Sequence, residues 1–161
     1  MLKLTKKTDY GLIALKHLAI KGESASAKEI ADTYRIPLPL LSKVLQTLGK
    51  SGFLSAEHGT NGGYRLAQEP KSISALAVIR AIDGPVILTS CFTKTESSCD
   101  QSSHCNVKEP LRKIHEGILK LLNDISIEDM ARDDSPSEGV PPVPGGQLLT
   151  PSQILPALSN V

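Results

Sequence analysis

Apolar residues recur at helical spacing through most of the first half of the chain. Ile13, Leu15, Leu18 and Ala19 mark the buried side of a first helix. Thr8 or Asp9 can cap its start, and Gly22 ends it near Lys21. Ser26, with Glu29 three residues on, has the form of a capping box for a helix over Ala27–Tyr34, whose inward face is Ile30, Ala31 and Tyr34. Pro37 and Pro39 break that helix, and Pro39 suits the first turn of a third, running to about Ser51. Leu38, Leu41, Leu45 and Leu48 form its buried stripe, opposite Ser42, Lys43, Gln46 and Lys50, and Gly52 caps its C-terminus.

The period then shortens. Phe53–Glu57 and Tyr64–Ala67 are strand candidates joined by a glycine-rich turn, 58–63, containing Asn-Gly-Gly. Ser74–Asp83 predicts another helix, stopped by Gly84-Pro85. Pro110 opens a long helix to about Ile125. Its Leu111, Ile114, Ile118, Leu121 and Ile125 repeat at 3-4-3-4, the seam of a coiled coil. Two heptads are too short for an isolated coil but enough to extend a dimer interface. Ser126 caps a short turn through Met130. The pattern predicts a mainly α protein: a winged helix-turn-helix over 1–85, a polar loop over 86–108, a dimerisation helix over 109–130 and a disordered tail over 131–161. The tail holds 6 of the 11 prolines.

Composition sharpens this in two ways. With two Phe, three Tyr and no Trp, the core must be aliphatic. The net charge of +1 hides an asymmetry, because residues 1–85 carry 12 Lys and Arg against 7 Asp and Glu, whereas 86–161 carry 6 against 10. The basic half is the one suited to a polyanion. Met1–Tyr10 is polar, and no apolar run approaches the ~20 residues needed to span a bilayer, so the expectation is a cytoplasmic protein without membrane association.

The third helix offers Pro39, Leu40, Ser42, Lys43 and Gln46 in its first turns, where a recognition helix meets base edges. Lys suits guanine and Gln suits adenine. The hairpin carries His58, Asn61, Gly62 and Arg65, with glycines that let backbone amides approach phosphate or a minor groove. Lys3, Lys6 and Lys7 are candidate phosphate contacts. The expected partner is double-stranded operator DNA, read by a homodimer.

Three cysteines, Cys91-(x7)-Cys99-(x5)-Cys105, lie on the polar loop. An odd number of thiols in a reducing compartment argues against a disulfide framework. Thiolates on one loop suit a soft metal or an iron–sulfur cluster, either 2Fe–2S or 4Fe–4S. Structural zinc, with His104 as fourth ligand, and a direct thiol switch are the other readings. Cysteine with His104 or His115 and Asp100 could suggest a nucleophile and base. The sequence carries no phosphate loop, nucleophile turn or Cys-x-x-Cys, so an enzyme is not expected.

The stretch Met1–Gly11, the turn Ile36–Leu41, the wing Gly59–Leu66 and the cysteine loop together resemble the Rrf2 family of bacterial transcription regulators, over about residues 1–130. His104-Cys105-Asn106-Val107, Pro110–Ile114 and Ile125–Met130 are most similar to the regulators of SUF-type iron–sulfur assembly. The resemblance implies a homodimer whose long helix crosses to its partner, and a cluster whose state sets repression or activation. It also exposes a departure. The branch regulating the ISC system places a histidine three residues after the last cysteine, where this chain has Lys108, and its first cysteine spacing is two residues shorter. A lysine ammonium has no lone pair for iron. The nitric-oxide-sensing branch uses an aspartate near the start of the first helix, given by the other subunit, and Asp9 matches that position. Asp9 and His104 are therefore both candidate fourth ligands. A nitric oxide or redox-sensing repressor is the alternative to a regulator of cluster assembly.

Overall fold

A computed structural model describes residues 4–57, 62–89, 92 and 104–132. It contains α1 (Lys6–Lys21), α2 (Ala27–Tyr34), α3 (Leu38–Lys50), β1 (Leu54–Glu57), β2 (Gly63–Leu66), a 3-10 turn Pro70–Ser72, α4 (Ala75–Asp83), α5 (Lys108–Asp124) and α6 (Ile127–Arg132). The strands pair antiparallel, with Leu54 opposite Leu66 and Glu57 opposite Gly63. A mainly α winged helix-turn-helix followed by a long helix is the architecture the sequence pattern predicts.

Local rules account for most boundaries. Ser26 Oγ accepts a hydrogen bond from the Glu29 amide at 3.0 Å, so α2 starts at its capping box. Ser74 Oγ does the same for the Ala77 amide and starts α4. Gly22 closes α1 at φ 70°, a left-handed conformation that costs a Cβ-free residue nothing. The α2–α3 turn needs the same conformation, yet there it falls on Arg35 at φ 53°. The Ile36 amide then bonds back to Ala31 O at 2.9 Å, and Pro37 leads into α3.

Five local expectations are corrected. The α1 cap is Thr5, not Thr8 or Asp9, and α1 begins at Lys6. Thr8 is instead fully buried, because its hydroxyl has a partner far along the chain. Tyr34 is exposed rather than inward. Its hydroxyl lies 3.1 Å from His17 Nδ1, so the ring stays at the surface with its polar end satisfied. Leu38 is also exposed, since it is the first residue of α3; Val44 takes its place in the core. Ile13 and Ala19 are half-buried, whereas Gly11 and Ala14 lie at the centre of the α1 face. Finally, α6 continues to Arg132, two residues past the expected turn.

The main core is aliphatic, as composition required: Leu15, Leu18, Ile30, Leu41, Leu45, Leu48, Ile73 and Val78, with no large aromatic side chain fully buried. It also contains Ile127, from α6. The chain is sewn there by Ala75 N–H to Ile125 O at 2.8 Å and Ile127 N–H to Ile73 O at 2.9 Å. Ser126 caps α6 with Asp129: the Asp129 amide donates to Ser126 Oγ at 3.1 Å, and the Ser126 amide donates to the Asp129 carboxylate at 2.9 Å. The last described helix thus packs on the first.

Candidate nucleic-acid interface and metal centre

On α3 the expected reading residues stay accessible, to differing degrees. On α3, Pro39, Lys43 and Gln46 are exposed, and Leu40 and Ser42 are half-buried. The buried stripe Leu41, Val44, Leu45 and Leu48 fixes this rotation, so the polar residues between them must face out. Lys6 lies exposed at the first position of α1. The structure adds a neighbour that spacing alone did not show. Lys7, from the first turn of α1, lines a shallow cavity of about 120 Å³ together with Leu40, Lys43, Val44, Thr47 and Ile82. Two lysines from helices far apart in sequence therefore border one depression beside the recognition helix.

The wing is seated by backbone. Ala25 and Tyr64 exchange hydrogen bonds at 2.9 and 3.0 Å, which attaches β2 to the segment before α2. Gly63 makes this approach possible, because a Cβ there would lie 2.5 Å from Ala25 O. Gly62 is half-buried next to it. Arg65 is exposed on β2 and pairs with Glu57 of β1 at 3.1 Å. An exposed pair of this kind is worth at most ~1 kcal/mol, so Arg65 can exchange Glu57 for a phosphate at little cost. His58 and Asn61 lie outside the described residues.

At the start of α1 one carboxylate holds the helix. Asp83, the last residue of α4, accepts from Thr8 Oγ1 at 2.6 Å, from Thr5 Oγ1 at 2.7 Å and from the Thr5 amide at 3.2 Å. Partial burial raises the Asp83 carboxyl, but the hydroxyl and amide donors and the nearby Lys7 charge outweigh it and hold the group below the usual carboxylate range. With Thr5 as the cap, Asp9 has no capping role. It is an exposed carboxylate in the first turn of α1.

Of the thiols, only Cys105 lies among the described residues. It is half-buried, without a disulfide, three residues ahead of α5. The N-cap of α5 is Val107, which gives no side-chain cap, so the positive end of the helix begins three residues after Cys105 without a side-chain acceptor. That environment favours an anionic group such as a thiolate-ligated cluster. The donor set of three thiols also fits such a cluster, with no fourth cysteine to close a tetrathiolate zinc site. Cys91 and Cys99 lie outside the described residues, and among the described ones no three His, Cys, Asp or Glu side chains are gathered to hold a metal. His104 is exposed beside Cys105, and Lys108 is the exposed first residue of α5. One contact was missed at the sequence level. His115 of α5 stacks on Phe92, the residue after Cys91, with ring centroids 5.0 Å apart. Its Nδ1 is buried without a hydrogen-bond partner. Sequence offered only an amphipathic-helix histidine here, with no signal for the stack.

The apolar face of α5 is wider than one seam. Taking about 100° per residue, Leu111, Ile114, Ile118 and Leu121 together with His115, Leu119 and Leu122 cover roughly 160° of arc. Ile125, expected in the same seam, lies just past the helix in extended conformation, where its carbonyl accepts from the Ala75 amide. Leu119 and Leu122 pack on Leu76, Ile79 and Val86 of the same chain. On the other edge Ile114 is 52% exposed and Leu121 is 61% exposed, while Leu111 and Ile118 are half-buried between the two. No helix among the described residues is long and apolar enough to cross a membrane.

This arrangement has known relatives. Residues 4–133 match the Rrf2 family, described as iron-dependent transcriptional regulators. The chain is 37% identical over 131 residues to the HTH-type transcriptional regulator NsrR of Bacillus licheniformis, covering 80% of this chain and 92% of that protein. It is 33% identical over 135 residues to NsrR of Shouchella clausii, covering 83% and 91%. Among solved structures it is similar to CymR, the global cysteine regulator of B. subtilis, with a TM-score of 0.67 and 27% identity over 82% of this chain and 98% of that one. It is likewise similar to IscR of T. potens, with a TM-score of 0.62 and 28% identity over 86% and 94%. With the winged fold, the polar recognition helix and a family match over most of its length, the chain belongs to the Rrf2 family of transcriptional regulators.

Proposed function

We propose that this protein is a homodimeric DNA-binding regulator whose operator affinity depends on an iron–sulfur cluster held by Cys91, Cys99 and Cys105, and that it controls genes of SUF-type cluster assembly. One observation carries the reading. The thiol-bearing segment leaves the winged unit at Asp83, which holds the first turn of α1, and re-enters at α5, whose outer apolar edge is uncovered. A cluster bound by that segment would be tied through the chain to the DNA-reading face on one side and to the dimer helix on the other. Ser42, Lys43 and Gln46 read bases; Lys6 and Arg65 bind phosphate, and Lys7 joins them. Asp9 or His104 completes the ligand set.

A second reading, a nitric oxide or redox-sensing repressor, is favoured by Asp9. The Thr5 cap leaves its carboxylate exposed at the α1 start, accessible to a cluster on another subunit. Asp9→Ala and His104→Ala separate the candidates, since only loss of the true ligand should make the cluster labile to oxygen or nitric oxide.

The test is operator affinity measured anaerobically on reconstituted and cluster-free protein. Coupling between two sites is typically ~1–3 kcal/mol, so a difference of at least ~5-fold is expected. Cys91→Ala, Cys99→Ala and Cys105→Ala should each show only the cluster-free affinity. Equal affinities for loaded, cluster-free and all three variant proteins would leave a plain DNA-binding protein. Readout can be checked separately. Lys43→Ala should cost ~1–3 kcal/mol and relax preference at one base position, whereas Lys6→Ala should weaken all sequences alike and flatten the salt dependence by about one unit. Equal loss of discrimination from both would contradict that division.

A further inference from the structure

We propose that Asp83 is the positioning residue that couples the cysteine segment to the DNA-reading face, by holding the first turn of α1 against the recognition helix. The inference rests on the cluster-dependent reading above and names the residue through which that dependence acts.

Both oxygens of the Asp83 carboxylate are committed across a sequence separation of 75 to 78 residues. Oδ1 accepts from Thr5 Oγ1, and Oδ2 accepts from Thr8 Oγ1 and the Thr5 amide. Thr5 is the cap of α1, and Thr8 is fully buried one turn later. One charged group therefore fixes the azimuth and tilt of the turn that carries Lys6, Lys7 and Asp9. Charge-assisted bonds of this length are roughly twice as strong as neutral ones, so the attachment resists small displacements better than apolar contact alone.

The preceding residue addresses the other helix. Ile82 lies so close to α1 that a Cβ on Gly11 would meet its Cδ1 at 2.4 Å, and it lines the cavity shared with Lys43 and Thr47 of α3. Two consecutive residues at the end of α4 thus touch both helices that would meet DNA. The chain beyond them has little slack. Gly84 sits at φ 84° and ψ −161°, a conformation confined to glycine, and Pro85 has a fixed φ. Val86 is then buried against Leu76 and Ile79 of α4 and Leu119 and Leu122 of α5. A shift of α5 imposed at the cysteine segment reaches Asp83 through packed side chains and a stiff corner. Cores packed in this way change between discrete arrangements rather than deforming smoothly.

The experiment compares full-length wild type with Asp83→Asn, Thr8→Val and Thr8→Ser, each reconstituted anaerobically with iron and sulfide and each cluster-free. Operator affinity is read by fluorescence anisotropy, cluster content by visible absorption, and non-specific DNA affinity in the same buffer. Asparagine cannot accept the Thr8 hydroxyl at its amide nitrogen, valine removes that hydroxyl at nearly constant shape, and serine retains it. For wild type the loaded and cluster-free affinities should differ at least ~5-fold, and in Asp83→Asn and Thr8→Val the ratio should fall to within ~2-fold, with cluster absorption retained. Thr8→Ser should keep most of the wild-type ratio, whereas a merely stabilising bond would leave that ratio unchanged in Thr8→Val as well. If Asp83→Asn does not fold, the Thr8 pair decides alone. A wild-type ratio retained in Thr8→Val, or in a folded Asp83→Asn, overturns the role of Asp83 and leaves cluster dependence standing. A wild-type ratio near one removes cluster dependence and this inference with it.

Discussion

Replacing Ile127 with alanine is expected to lower the stability of the winged unit by about 2–5 kcal/mol, the range for truncating a fully buried isoleucine. The residue is the first of α6, far along the chain from the helices it packs on, and its side chain is wholly inaccessible. Its amide also donates to Ile73 O at 2.9 Å, and Met130 one turn on packs against the same core. Truncation would leave a void among side chains that cannot all collapse into it. Urea unfolding of the variant measures the loss. A cost below ~0.5 kcal/mol, typical of a surface site, would mean that α6 is not part of the core in solution.

Placing aspartate at both Ile114 and Leu121 is expected to abolish dimerisation and, with it, tight operator binding. Both side chains are more than half exposed in a single chain, so neither change disturbs the protomer. In a symmetric interface each substitution places carboxylates against apolar surface without a partner. Uncompensated buried charge costs ~3–5 kcal/mol, so the dimer should weaken by at least about a hundred-fold. Light scattering coupled to size-exclusion chromatography gives the mass, and circular dichroism confirms that the helices remain. A folded variant that stays dimeric would exclude the outer edge of α5 as the interface. The surface ion pairs of α5, Arg112 with Glu109 and Glu116 and Lys120 with Asp124, add only tenths of a kcal/mol each and should not mask this effect.

Helix α5 shows how far periodicity reaches. Its 3-4 repeat predicts one apolar stripe and one partner, because such a repeat records which residues share an arc and not how many surfaces divide it. Packing assigns Leu119 and Leu122 to the chain's own α4 and leaves Ile114 and Leu121 uncovered. The start of α1 has the same lesson. Thr5 and Thr8 are equally good caps by composition, and the choice between them falls to Asp83, 75 residues beyond Thr8.

What the sequence determined by itself was governed by neighbours along the chain: the capping box at Ser26, the proline break before α3, the two strands of the wing, the helix stop at Gly84 and the polar face carrying Ser42, Lys43 and Gln46. Those features follow from local hydrogen bonding and from a period of 3.6 or 2, which a linear string preserves. Only the tertiary structure decided what distant segments do to one another. It placed Ile127 in the core, Lys7 beside Lys43, His115 on Phe92 and the Asp83 carboxylate on two threonines of α1. Each of these is a contact between elements whose approach depends on how helices pack, and no spacing rule along the chain encodes it.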